Sequence, residues 1–277
     1  MALDLEIDQF SFQYAGRSTF ALSGISLSVP AGTCCAILGP TGAGKSTLLF
    51  ALAGVLKSHE PYGVYAGSIR IGTESYTSAP DHILFPVVGL CMQEPAVQIS
   101  GLCETVHDEV LLTLENLGTE QTERASRVAD ALGALHIAHL TDRNPSALSG
   151  GEMQRVALAT MLVASPQIML FDEPATSLDS EAQSFLAQTI RSLRGRSTVL
   201  LCDASLDLAI STSDRIVVLD EGRMVFSGTR GDFLRRLDSF RTILSTKEWS
   251  ESMSLLNEHI ERGSSVARRI ASKFGTP

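Results

Sequence analysis

Cys34-Cys35-Ala36-Ile37-Leu38-Gly39-Pro40-Thr41-Gly42-Ala43-Gly44-Lys45-Ser46-Thr47 is the stretch that decides the fold. Its first five residues form a short apolar run of strand length, and Ser46–Leu56 suits a buried helix. The intervening turn has glycine, four residues, then Gly-Lys-Ser. A backbone that wraps anionic oxygens excludes side chains at Gly39, Gly42 and Gly44. It also directs the N–H groups of the loop inward, with the helix dipole behind them. Within such a cradle, formed by Gly39, Pro40, Thr41, Gly42, Ala43 and Gly44, Lys45 supplies a positive charge to the β- and γ-phosphates of a nucleotide. Ser46 offers a hydroxyl to Mg²⁺, and Thr47 reaches the α-phosphate. The alternative is a glycine-rich turn without ligand.

Outward from this loop, the segment up to Val29 mixes short β-type stretches with Gly16 and Gly24, which predicts small antiparallel strands. Short β-like runs return between Ile69 and Met92. From Thr105 to Leu140 the pattern turns helical, with Val106, Val110 and Leu114 at steps of four. The final third alternates strand (Ile168–Phe171), helix (Ser180–Leu193), strand (Thr198–Cys202), helix (Leu206–Thr212) and strand (Arg215–Leu219), the order of a helix-covered parallel sheet. In the tail 230–277, Leu234, Leu237, Phe240 and Leu244 recur at helical spacing. Two uses are open for it, packing against the core or contacting another subunit.

Composition narrows the function. A chain of 277 residues accommodates one large α/β domain with a modest appendix, and 44% hydrophobic with 19% charged residues is ordinary for a packed core. The net charge of −9 disfavours nucleic acid, whose affinity comes from basic residues that displace counterions. No apolar run, Ile83–Met92 included, approaches the roughly eighteen residues needed to span a bilayer. Met1–Phe10 lacks the basic flank and apolar centre of a secretion signal, so an intracellular soluble protein is expected. Of the five cysteines, Cys34, Cys35 and Cys202 sit in apolar runs without metal-ligand spacing and read as buried thiols.

Two further motifs narrow the class. Ile168-Met169-Leu170-Phe171-Asp172-Glu173-Pro174 is an apolar strand ending in two acids and resembles a Walker B strand, although acids at strand ends also serve turns. Leu148-Ser149-Gly150-Gly151-Glu152 matches the signature of ABC ATPases, the family that the chain resembles over about Leu3–Thr229. The resemblance implies a P-loop NTPase fold: a RecA-like core, an N-terminal antiparallel β subdomain, a helical subdomain over about 94–147 and a helical C-terminal extension. The ABC domain would span 1–229 and the extension 230–277. It implies an ATPase using ATP and Mg²⁺. Asp172, Ser46 and Gln93 would hold the metal, with Gln93 in the Q-loop. Glu173, with Lys45 and Gln93, would carry the chemistry by polarising the attacking water. Residues Leu148–Glu152 would face the nucleotide of a second subunit, and Ser177, Leu178 and Asp179 would form the D-loop across that interface. Tyr14 resembles the aromatic on which adenine stacks, a role that competes with ordinary core packing.

One position departs from the family pattern. After Thr198–Cys202 the family carries a histidine that contacts the γ-phosphate, and alignment on Asp214-Arg215 puts Ala204 there, or Ser205 with a one-residue shift. Alanine has no hydrogen-bonding side chain, so slow turnover at this chain's own site and pairing with a second, complete ATPase are expected. Gln93-Glu94-Pro95-Ala96-Val97-Gln98 and Thr105-Val106-His107-Asp108-Glu109-Val110 resemble the ATPases of energy-coupling factor (ECF) importers and cobalt–nickel importers. In that comparison Gln98, Asp108 and Glu109 would border a groove for a transmembrane scaffold, against the alternative of a solvated helix face. The implied partners are a second ATPase subunit, that scaffold and a substrate-binding membrane subunit, at the cytoplasmic face of the membrane. A soluble non-transport ABC ATPase and the ATPase of another ABC importer or exporter class are the alternatives.

Overall fold

The computed structural model describes residues 1–56, 62–75, 86–175, 178, 180–203, 206–240 and 242–244. Strands β1 (Leu5–Tyr14), β2 (Leu22–Val29), β4 (Gly63–Ile71) and β5 (Glu74–Ser75) form an antiparallel sheet in the order β2-β1-β4-β5. A second sheet takes β3 (Cys34–Leu38), β6 (Val88–Cys91), β7 (Ile168–Asp172), β8 (Thr198–Cys202), β9 (Arg215–Asp220) and β10 (Arg223–Thr229) in the order β10-β9-β3-β8-β7-β6. All its pairings are parallel except the β9–β10 hairpin.

Every residue of β3, β7 and β8 is buried, because both faces of this sheet are covered, and a strand without a wet face has no reason to alternate. On one face Cys35, Ile37, Leu170 and Leu200 meet α1 (Lys45–Leu52) and the inner side of the antiparallel sheet, through Leu48, Leu49, Ile7, Phe12 and Ile25. On the other, Cys34, Met169, Phe171, Val199 and Leu201 meet a helical layer of α3 (Val106–Asn116), α4 (Gln121–Ala134), α5 (Gly150–Leu162) and α6 (Ser180–Ser192). The short α2 (Pro95–Gln98) leads from β6 into that layer.

Val106, Val110 and Leu114 are fully buried, as their spacing predicts, and the helical run divides into α3 and α4 at Gly118, whose φ of +66° ends the first helix. The helix expected over Ser46–Leu56 stops at Leu52 and continues as a turn. After α7 (Leu206–Thr212), β10 and α8 (Arg230–Arg235) follow the last predicted strand. Phe233, Phe240 and Leu244 bury against Leu38, Ile216 and Val218, so the described part of the tail packs on the core. No helix among the described residues is long and apolar enough to cross a membrane.

Candidate functional site

The loop after β3 owes its path to two close approaches. A Cβ on Gly39 would lie 2.3 Å from the carbonyl oxygen of Leu219, and one on Gly44 would lie 2.6 Å from that of Ala21. Neither position admits a side chain without moving backbone. Thr41 and Gly42 stand exposed at the tip while Ala43 is buried and Pro40 half-buried. Lys45, 5% exposed, turns its ammonium back over the loop and donates to Gly39 O at 2.9 Å and Pro40 O at 3.2 Å. The Thr47 hydroxyl lies 3.1 Å from that of Tyr14, whose ring stands edge-on to Phe12 and packs on the first core cluster. Tyr14 therefore serves the core and also borders the loop.

Two strands away, β7 delivers the acids. Asp172 is buried, and burial pushes its carboxyl upward; the bond it accepts from the Ser46 hydroxyl at 3.0 Å opposes that shift. At Glu173 the backbone takes φ +45° while its N–H donates to Cys202 O at 2.7 Å. A non-glycine residue held in this region costs on the order of 1 kcal/mol or more, a strain found where a side chain must be aimed. Glu173 Oε1 lies 3.6 Å from Lys45 Nζ, and Oε2 accepts from Gln93 Nε2 at 3.0 Å. Lys45, Ser46, Asp172, Glu173 and Gln93, from three separate segments, thus meet at the carboxyl ends of parallel strands.

The donor set fits a hard divalent cation: the Ser46 hydroxyl and the Asp172 carboxylate already touch, and the Gln93 amide is one residue away through Glu173. The glycine-lined loop fits a phosphate chain: backbone closes where a Cβ on Gly39 or Gly44 would stand, and at Gly42, where a Cβ would meet nothing, the loop needs glycine for its φ of +83°.

The residues 148–152 make no hydrogen bond to Gly39–Thr47 among the described residues. Leu148 packs into the helical layer, and Ser149 caps α5 in a reciprocal box with Glu152. Ser149 N and Oγ each lie 2.8 Å from Glu152 Oε2, and the backbone bond draws that carboxyl below its usual range. Gly150 and Gly151 are exposed, and a Cβ on either would meet nothing. Glycine near a helix start weakens it by up to about 1 kcal/mol relative to alanine, and packing among the described residues supplies no compensation.

Gln98 and Glu109 line one cleft of about 320 Å³ between β6, α3 and α5, whereas Asp108 stands outside it, exposed beside His107. Glu109 does not lie on the solvated helix face that was the alternative to a groove: it is 3% exposed and accepts from Ser100 N at 2.6 Å and Ser100 Oγ at 2.8 Å. Gln98 donates to Ala157 O at 2.9 Å. Both shape the wall more than they present charge. Leu178 is half-buried in the helical layer, while Ser177, Asp179, Ala204 and Ser205 lie outside the described residues.

Gln154 escaped notice in the sequence. It is 5% exposed on α5, and its Nε2 lies 3.5 Å from Pro174 O, tying that helix to the residue after Glu173. A polar side chain on the stripe of Ala157, Leu158 and Met161 was the available signal.

Residues 22–176 match the family described as ABC transporter. A Pyrococcus horikoshii protein provisionally named as an ABC transporter ATP-binding protein is 33% identical over 241 residues, 86% of this chain and 84% of that one. The energy-coupling factor transporter ATP-binding protein EcfA1 of Latilactobacillus sakei is 35% identical over 227 residues, 81% of this chain and 78% of that one. Among solved structures, cbiO1 from Clostridium perfringens, part of the ABC transporter complex cbiONQ, superposes with a TM-score of 0.72 at 28% identity, covering 86% of this chain and 93% of that one.

Proposed function

This chain belongs to the ABC transporter family as an ATPase subunit, and on that premise we propose that it drives an ECF-type importer of a vitamin or metal ion. It would work in a head-to-tail ATPase dimer docked beneath transmembrane partners at the cytoplasmic face. The observation that carries the proposal is the convergence of Lys45, Ser46, Asp172, Glu173 and Gln93, while Gly150 and Gly151 stand exposed with no described residue against the place of a Cβ. Bare backbone at the start of α5 suits close approach to an anion held by another subunit.

In the reaction Lys45 exchanges its loop carbonyls and Glu173 for the β- and γ-phosphates, with Tyr14 beneath the adenine and Thr47 at the α-phosphate. Freed from Lys45, Glu173 accepts a bond from the attacking water and polarises it, held in direction by Gln93. Ser46, Asp172 and Gln93 would hold Mg²⁺, which supplies charge neutralisation at the phosphates. The D-loop residues Ser177, Leu178 and Asp179 would cross to the second subunit. Likeness to EcfA1 and cbiO1 supports the importer class. So does the cleft at Gln98 and Glu109, beside which Val97 and Leu102 are 62% and 84% exposed. Ala204 favours a heterodimer in which this chain's own site turns over slowly.

Co-purification from detergent-solubilised membranes tests the assignment: integral membrane subunits accompany a transporter ATPase, and none accompanies a soluble one. Lys45→Ala weakens Mg-ATP binding at least about tenfold, the effect of losing a charged hydrogen bond. Ala204→His raises turnover of the isolated protein; brisk hydrolysis by the unaltered homodimer refutes the slow-site reading.

A further inference from the structure

The turn that precedes the signature joins it to the helix bearing the cleft. At the start of α3 the N–H of Val106 donates to Arg143 O at 2.9 Å and that of His107 to Thr141 O at 3.0 Å, so this turn satisfies groups that a helix start leaves unpaired. The guanidinium of the same Arg143 lies 3.4 Å from Glu152 Oε1. The other oxygen of Glu152 holds the backbone and the hydroxyl of Ser149. One residue thereby connects the helix carrying Glu109 with the serine that opens α5.

The chemistry at Ser149 calls for such a residue. A carboxylate only accepts, so the single hydroxyl proton of Ser149 is committed to Glu152, and Glu152 places a negative charge where a second anion must arrive. A cation on Oε1 draws that charge away from the approach. It also fixes the carboxylate, so that Oε2 would keep the Ser149 N–H when the hydroxyl leaves it for an arriving phosphate.

We propose that Arg143 is a positioning residue for the trans site: through Glu152 it sets Ser149 to receive the triphosphate bound by a second ATPase subunit. This rests on the head-to-tail reading above, and it adds the residue that makes a signature ending in glutamate compatible with an incoming phosphate.

The experiment measures Mg-ATP-driven association of the full chain with its ATPase partner, by sedimentation, for wild type, R143A, R143K and S149A. Binding of Mg-ATP to the chain's own loop is measured alongside, at concentrations too low for association. R143A is expected to weaken association about fivefold, the scale of an exposed ion pair, with own-loop binding unchanged. R143K restores it, since lysine keeps the charge. The gap between R143A and wild type closes in about 0.5 M salt, where exposed charges are screened. Wild-type association of R143A in low salt overturns the proposal, and so does a deficit that lysine and salt leave untouched, which marks a folding role. If S149A associates normally, the head-to-tail reading falls and takes the proposal with it; if S149A alone fails, only the role of Arg143 is lost.

Discussion

Asp172 combines burial with a proposed metal-holding task that needs its charge. Its carboxyl is raised above the ordinary value by desolvation, so the folded protein holds this proton more tightly than the unfolded chain does. The group therefore favours folding below its unfolded pKa, and that contribution is lost as pH rises through the folded pKa. A divalent cation needs the ionised form, so metal binding releases a proton and acidification opposes it. Mg-ATP affinity measured by calorimetry should weaken as pH falls through the raised pKa of this carboxyl, and Asp172→Asn should remove its share of that dependence. Glu173→Gln should keep nucleotide binding while turnover drops about a hundredfold, as for removal of a general base. The phosphate loop was legible from spacing, because phosphate binding restricts its residue types narrowly, whereas Asp172, Glu173 and Gln93 were picked out by the family resemblance. The left-handed backbone at Glu173 was legible in neither way, since it arises from pairing with Cys202, far away in the chain.

Among the elements, strands buried on both faces were the easiest to foresee. Thr198–Cys202 was placed to the residue, for an unbroken apolar run between turns has few other uses. Strand β10 lacks that signature: Arg223–Thr229 alternates poorly, and only Phe226 in it is buried. Its pairing with β9 and the packing of its one aromatic create the strand. Phe226 sits in a trio whose Phe233 and Phe240 rings stack at 5.5 Å and 8°, and Phe233 is fully buried. Phe233→Ala should lower stability by about 3–5 kcal/mol in urea unfolding, a large cavity next to β9. The inward turn of Glu109 likewise escaped a one-dimensional reading, because its partner Ser100 belongs to the loop before the helix.

At the scale of the molecule, the layers seal four of the five thiols. Burial raises Cys34 to about 11 and Cys35 and Cys91 to about 12, and raises Cys202 well above its ordinary value, while Cys103 is partly exposed. An aromatic disulfide reagent at about pH 8 should titrate one thiol in the native protein and five after denaturation. The sheet order also governs how the protein comes into being. β3 emerges early from the ribosome, yet its two neighbours, β8 and β9, lie more than 150 residues downstream. The phosphate loop must therefore wait, its flanking strand unpaired, until nearly the whole chain has been translated, and a nascent chain halted before Thr198 holds Lys45 without the strand that joins β3 to the acids.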